Sequence, residues 1–418
     1  MPVSVAVIKE SLPGERRVAL DPGVVQKLMT QGGFEFRLQQ GAGLTAGFPD
    51  SEYESVSVFN DFESTVAGSD IVLMVNPPDP DVAQLLPVGS LLATSLFAHA
   101  NIDLLRVLLE RKITAMALEL MPRVSRAHSM NITSSQGTIA GYKAALLAAE
   151  LSPRLWPMVT TPAGTVKPST VVVIGAGTAG LQAIATARRL GARVEAYDIR
   201  PSAREQVESL GASMIETGFD VQGTSGHGRA LNEDEKEKQH EILADVFSRA
   251  HAVICTAALP GRAAPRIVTA DMVDGMPRGA VIVDMAARSG GNCELTEAGK
   301  TIWREDKRIV GSVDLAGAAS VHSSELYSRN MFHLLKFLIR GSTLLLDFED
   351  QIIEETVLTH EGRVLHASTA ELLGIEPAEI EPESTKKSRS KTSEDTTADW
   401  VETDDPQTPS GPDNRTVD

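Results

Sequence analysis

Short apolar runs alternate with amphipathic stretches along the first third of the chain. Residues 4–8 alternate, with Val5 and Val7 apolar, and predict a first strand. The turn SLPGERR leads to a helix over residues 21–31 with Pro22 in its first turn, and residues 34–39 form a second strand before the loop Gly41-Ala42-Gly43. Residues 71–75 read as a parallel-sheet strand stopped by Asn76-Pro77-Pro78. Strands over 91–97 and 114–117 continue the series, with a helix over 102–111 between them. This alternation predicts a doubly wound domain over residues 1–140. A helix over 134–151 crosses into a second domain over 141–325, with strands beginning near Val171, Arg193, Ala252, Ala280 and Ile309. The apolar helix 331–339 returns to the first domain, which residues 326–380 complete. There, residues 344–348, 352–358 and 364–366 are expected to pair as strands around the turn His360-Glu361-Gly362. From 381 to 418 the aliphatic residues nearly vanish, which predicts a disordered acidic tail. The fold class expected is α/β: two Rossmann-like doubly wound domains separated by a cleft, followed by that tail.

The densest chemistry lies in residues 171–200, VVVIGAGTAGLQAIATARRLGARVEAYDIR. An apolar strand runs into Gly175, Gly177 and Gly180 in G-x-G-x-x-G spacing, with Ala176, Thr178 and Ala179 between them. The first glycine permits a tight strand-to-helix turn and the second lets a pyrophosphate approach the backbone. The third lets helix and strand pack closely, and the helix N-terminus supplies N–H groups and partial positive charge. Asp198 closes the second strand about 20 residues on, where a carboxylate accepts hydrogen bonds from an adenosine ribose. Ile199 and Arg200 follow it. An acid here favours NAD(H) by repelling a 2′-phosphate, and Arg200 weakens that preference. A dinucleotide site is therefore expected.

Composition narrows the partners. The 418 residues carry a formal charge of −17, which argues against non-specific binding to nucleic acid or anionic membranes. The two cysteines, Cys255 and Cys293, sit in apolar or Gly-rich sequence and read as buried free thiols rather than a metal or disulfide pair. No signal peptide and no transmembrane run is visible, so a soluble, cytoplasmic chain is expected, without direct membrane insertion.

Several further segments carry a family resemblance: IKE…PGERRVALDP, MPRVSRAHSM, SSQGTIAGYKA, VIGAGTAG, DIRPSAREQVESLGA, TAALPGRAAP and GAVIVDMAARSGGNCELTEAG. With them the chain resembles, from about residue 3 to 366, the NAD(H)-binding first domain of proton-translocating nicotinamide nucleotide transhydrogenases, and more distantly alanine dehydrogenases. The resemblance implies NAD(H) as the cofactor, with NADP(H) carried only on a partner subunit. It also implies a homodimer, and peripheral attachment at the inner membrane through a membrane subunit and an NADP(H)-binding subunit. Ala257, Ala258 and Leu259, in TAALPGRAAP, join the expected cofactor-binding residues.

In that family a loop carrying Arg, Gln and Asp holds the nicotinamide for direct hydride transfer, with no acid or base required. Carried onto this sequence, the arginine is Arg123, the glutamine position holds His128, the aspartate position holds Asn131, and Ser134 matches a serine at the nicotinamide-side ribose. His128 stands either as an amide replacement or as a proton donor for a small-molecule substrate. His227 takes the place of a tyrosine on a mobile loop over 223–239, either catalytic or simply solvated. His99, near the position of a catalytic histidine in alanine dehydrogenases, reads as an ordinary strand-end residue ahead of a functional one. Arg17 matches a substrate-binding arginine of those enzymes, but a structural ion pair explains it equally, with Arg16 the neighbouring candidate. Alanine dehydrogenases also need a lysine near Asn76 and an aspartate near Arg288, and both are absent here. An NAD-dependent dehydrogenase of an amino or keto acid, or a non-catalytic NAD(H)-binding regulator, are the competing readings.

Overall fold

The computed structural model describes residues 1–218, 232–259 and 261–378, and the tail and His227 lie outside them. In chain order the strands are β1 (Val3–Val7), β2 (Phe34–Gln39), β3 (Ser57–Phe59), β4 (Ile71–Leu73), β5 (Leu91–Thr94) and β6 (Thr114–Ala117). A hairpin of β7 (Val159–Thr161) and β8 (Gly164–Val166) follows, then β9 (Thr170–Ile174), β10 (Arg193–Tyr197), β11 (Ser213–Met214), β12 (Ala252–Cys255), β13 (Val281–Asp284), β14 (Thr301–Arg304) and β15 (Lys307–Gly311). Two short pairs end the series: β16 (Ile339–Arg340) with β17 (Thr343–Leu344), and β18 (Val357–His360) with β19 (Arg363–Val364).

They build two large sheets. The first has the order β19-β18-β6-β5-β4-β1-β2-β3 and is parallel except for β18 and β19. The second has the order β11-β10-β9-β12-β13-β15-β14 and is parallel except for the edge strand β14. Strands β4, β5, β6, β12 and β13 are buried at every residue, because apolar layers cover both faces of each sheet. That two-sided burial is why they read as continuous apolar runs rather than alternating ones.

In each sheet the strand order reverses once along its parallel core, between β4 and β1 in the first and between β9 and β12 in the second. At such a point the connections leave to opposite faces and a crevice opens beyond the carboxyl ends of the strands. Helix Ile132–Leu151 lies against helix Thr178–Arg189 of the second sheet so closely that a Cβ on Gly141 would stand 2.0 Å from the Ala179 carbonyl oxygen.

Three expectations near the end of the chain change. Residues 352–356 belong to helix Gln351–Thr356, which the Asp350 carboxylate caps at the Ile352 amide, and the strand starts only at Val357. Of the segment 344–348, only Leu344 is extended, and it pairs with the end of the preceding helix instead of joining the sheet. Helix Ser320–Leu338 begins eleven residues earlier than its apolar half suggests, since its first turns are polar yet buried at Ser323, Ser324 and Ser328. The hairpin around His360-Glu361-Gly362 is present, and it ties this segment to β6 of the first sheet.

Candidate functional site

Gly175 follows β9 with φ +91°, a backbone conformation that a side chain would strain. Its amide donates to the Tyr197 carbonyl at 2.7 Å, and its carbonyl accepts from Thr256 Oγ1 at 2.9 Å. A Cβ on Gly180 would stand 1.9 Å from that same Gly175 carbonyl oxygen, so the third glycine is required by contact with the turn. Helix Thr178–Arg189 has Gly177 at its N-cap without a capping side chain, and its first intrahelical bond runs from Leu181 N to Gly177 O. The first-turn amides of Thr178, Ala179 and Gly180 precede that bond, which is the donor set a pyrophosphate uses.

Asp198 is engaged from four sides. Its oxygens accept from the Ala176 amide at 2.7 Å, the Arg200 amide at 2.8 Å, and Arg200 Nε and Nη2 at 2.9 Å each. Burial alone would raise this carboxyl, but Arg200 and the two amides outweigh it and hold it below the ordinary carboxylate range. A ribose diol therefore reaches a charged acceptor, and one that Arg200 must share. Beyond β12, the backbone of Ala257 is clamped by Asn292, whose Oδ1 accepts from Ala257 N at 3.0 Å and whose Nδ2 donates to Ala257 O at 2.8 Å. Asn292 is itself held by buried Asp284, which accepts its amide at 2.8 Å. Ala258 and Leu259 continue from this clamp to the wall of the cleft.

Both strand-order reversals open into that cleft, a cavity of about 330 Å³. The first sheet lines it with residues beyond β4 (Asn76), β5 (Phe97, His99) and β6 (Glu119, Arg123), the second with residues beyond β12, β13 (Arg288) and β15 (Asp314). Phe97 has φ +45°, and the Glu119 carboxylate accepts both its amide and that of Leu96. A bulky residue held in the left-handed region at a cleft wall is a local strain that this carboxylate stabilises.

A polar network that spans both sheets forms the floor. Glu15 takes the Arg17 guanidinium on two oxygens at 2.6 and 2.8 Å, and Gln136 accepts from Arg17 Nη1 at 3.0 Å. Asn76 Nδ2 donates to Glu15 at 2.7 Å and to Glu10 at 3.1 Å, leaving its Oδ1 to accept from Arg288 Nη1 at 2.9 Å. Arg17 is thus a buried ion-pair residue in this fold. Glu10, Glu15, Gln136, Arg288 and Asp314 are site residues that no local motif announces, since they come from four distant segments.

The residues expected at the nicotinamide end separate. Arg123 lines the cleft. His128 is exposed on the turn Ser125–Met130, outside the lining, beside Arg126, which forms an ion pair with Asp350. Asn131 is buried and caps helix Ile132–Leu151, accepting the Ser134 amide at 2.9 Å. Its position before a long helix is the N-cap signal, which a carboxamide satisfies as well as a carboxylate. The Ser134 side chain is exposed in the first turn, while Thr133, Gln136, Gly137 and Ala140 of the same helix line the cleft. Cys255 and Cys293 are free and buried.

A glycine turn at one strand-order reversal, an acid at the end of the next strand, and a cleft between two parallel sheets define a dinucleotide-binding oxidoreductase fold. The chain matches the N-terminal domain of the alanine dehydrogenase/PNT family over residues 6–140 and the C-terminal domain of that family over 144–367, and it belongs to this family. It is 38% identical over 377 residues to the first of the separately encoded alpha-subunit chains of the NAD(P) transhydrogenase of Rhodospirillum rubrum, covering 87% of this chain and 98% of that one. To NAD(P) transhydrogenase subunit alpha of Haemophilus influenzae it is 36% identical, over 93% of this chain and 74% of that one. The solved transhydrogenase structure from Sinorhizobium meliloti superposes with a TM-score of 0.75 at 37% identity, covering 87% of this chain and 99% of that one. Among the described residues no helix is long and apolar enough to cross a membrane.

Proposed function

We propose that this chain is the NAD(H)-binding subunit of a nicotinamide nucleotide transhydrogenase, passing hydride between NADH and NADP+ held on a partner subunit. The observation that carries this reading is the shared cleft: both strand-order reversals open into it, with Arg123 on its wall. NADH, when bound, supplies the hydride. The turn at residues 175–180 holds the pyrophosphate, Asp198 with Ile199 and Arg200 holds the adenosine ribose, and residues 257–259 wall the nicotinamide half. Arg123 and Ser134 orient the nicotinamide end, Asn131 fixes the helix that carries Ser134, and His128 borders the turn. His227 sits on the loop that closes over the nucleotide. No side chain needs to carry a proton, so the residues act by positioning and by excluding water. The same reading divides the chain at about residues 140 and 325, with 326–380 completing the first domain. It makes the chain a cytoplasmic, peripheral member of an assembly whose other subunits bind NADP(H) and cross the membrane.

The test is hydride transfer from NADH to NADP+ with the purified chain mixed with a transhydrogenase NADP(H)-binding domain. Turnover that requires both proteins and falls at least tenfold in Arg123→Ala is expected. NADH binding without transfer at any mixing ratio defeats the reading. A second reading, an NAD-dependent dehydrogenase of a small oxo acid, draws on His99. Both of its ring nitrogens are buried at the cleft with no hydrogen-bond partner among the described residues, and burial keeps the ring below its ordinary pKa. Oxidation of NADH by an oxo acid, without a partner protein and lost in His99→Ala, would select it.

The proposed assembly includes a homodimer. The β7–β8 hairpin stands exposed along nearly its whole length, and Leu155 and Met158 before it and Val166 within it are 55%, 65% and 46% exposed. An apolar projection of this kind fits a second copy of the chain better than water. Light scattering is expected to give a dimer mass for the native chain and a monomer mass for Met158→Glu/Val166→Glu. A monomer in both would remove the hairpin from the assembly.

A further inference from the structure

The cleft holds a cation that no carboxylate neutralises directly. Arg288 lies on the short turn Ala287–Ser289 after β13, and its one hydrogen bond among the described residues goes to Asn76 Oδ1. No acidic oxygen comes within ion-pair distance of it among those residues, whereas Arg17 beside it is held on two oxygens by Glu15. Asn76 cannot turn to offer its amide instead, because Glu10 and Glu15 both take hydrogen bonds from Nδ2. The guanidinium is therefore fixed, with its remaining N–H groups uncommitted on a residue that lines the cavity. Burial, then the Arg17 charge, pull Arg288 below its ordinary value, against Glu15, Asp314 and Glu10, which pull the other way. Added positive charge is disfavoured here.

The position in the sheet says which part of a dinucleotide meets this charge. Asp198 ends β10 and the glycine turn ends β9, so the adenosine half lies on that side of the reversal. The other half falls beyond β12, β13 and β15, where Leu259, Arg288 and Asp314 line the cavity. A nicotinamide ring is positively charged when oxidised and neutral when reduced. We infer that Arg288 is a specificity-determining residue that makes the cleft favour the reduced over the oxidised nicotinamide. The inference rests on the proposed NAD(H) reading.

Two unit charges several ångströms apart in a half-buried site change an equilibrium constant by about three- to tenfold after solvent and salt screening. The experiment is titration of the full-length chain with NADH and with NAD+ at one pH, read as the ratio of the two Kd values, in the native protein, Arg288→Gln and Arg288→Lys. The glutamine variant is expected to tighten NAD+ relative to NADH by about three- to tenfold, and the lysine variant to keep the native ratio within about twofold. An unchanged ratio in Arg288→Gln overturns the inference, as does a lysine variant that behaves like glutamine. Should Arg288→Gln not fold, salt serves on the native chain: the ratio is expected to shrink between about 20 mM and about 500 mM salt, and a constant ratio overturns the inference. Failure of the native chain to bind either nucleotide would instead strike the NAD(H) reading, and this inference with it.

Discussion

Gly141→Ala is expected to destabilise the chain by about 3 kcal/mol, while Gly137→Ala, one turn earlier on the same helix, is expected to be neutral or stabilising by up to about 1 kcal/mol. Both substitutions give the helix a better helix former, so propensity alone predicts the same gain. Their surroundings differ. A Cβ at Gly137 would meet the Ala179 Cβ at 3.7 Å, an ordinary van der Waals contact. At Gly141 it would meet the Ala179 carbonyl oxygen at 2.0 Å and the carbonyl carbon at 2.9 Å, both backbone atoms that cannot rotate away. Relief requires the two helices to move apart. Helix Thr178–Arg189 then shifts at its first turn, where Gly180 already touches the Gly175 carbonyl. NADH affinity should fall together with stability in Gly141→Ala. Denaturant unfolding of the two variants checks the pair, and equal midpoints would show that the close approach is not what holds the helices.

The glycine turn was legible because its chemistry is local. The strand, the three glycines and the acid lie within 30 residues, and each glycine is required by a contact or a φ that the spacing already implies. The parallel strands were legible for the same reason, since burial on both faces leaves apolar runs. The helix Gln351–Thr356 was missed because Ile352-Ile353 followed by Val357-Leu358 reads equally as strand, although Asp350 before them was an available N-cap signal. Asn131 carried that signal too, ahead of a 20-residue helix, yet its position in a ligand loop drew attention to the charge it lacks. The floor of the cleft lay beyond sequence reading altogether. Glu10, Glu15, Asn76, Gln136 and Arg288 meet only after two sheets have formed and faced each other. A carboxylate's partner 66 residues away leaves no periodicity to detect.

That network should also give stability an unusual dependence on pH. The Glu10 carboxyl is pushed up to about 7, first by burial and also by the Glu15 charge, against hydrogen bonds from the Val75 and Asn76 amides and the Asn76 side chain. Between its ordinary value of 4.5 and about 7 the folded chain keeps a proton that the unfolded chain has released. Its contribution, about 3 kcal/mol, is therefore fully present below pH 4.5 and lost as pH rises through about 7. Glu15 behaves in the opposite way. Burial would raise it, but Arg17 and Asn76 hold it at about 2. It contributes stability of similar size above pH 4.5, which disappears as pH falls toward about 2. The two carboxyls share one asparagine, yet together they place the network's optimum near pH 5. Glu10→Gln is expected to abolish most of the difference in unfolding free energy between about pH 5 and pH 8 while leaving the acid limb in place. Glu15→Gln leaves the Arg17 charge buried without its partner and is expected to lower stability by about 3–5 kcal/mol at pH 7. Identical pH slopes in native chain and Glu10→Gln, measured by urea unfolding, would show that the carboxyl is ionised on both sides of neutrality and that the network is held by hydrogen bonds alone.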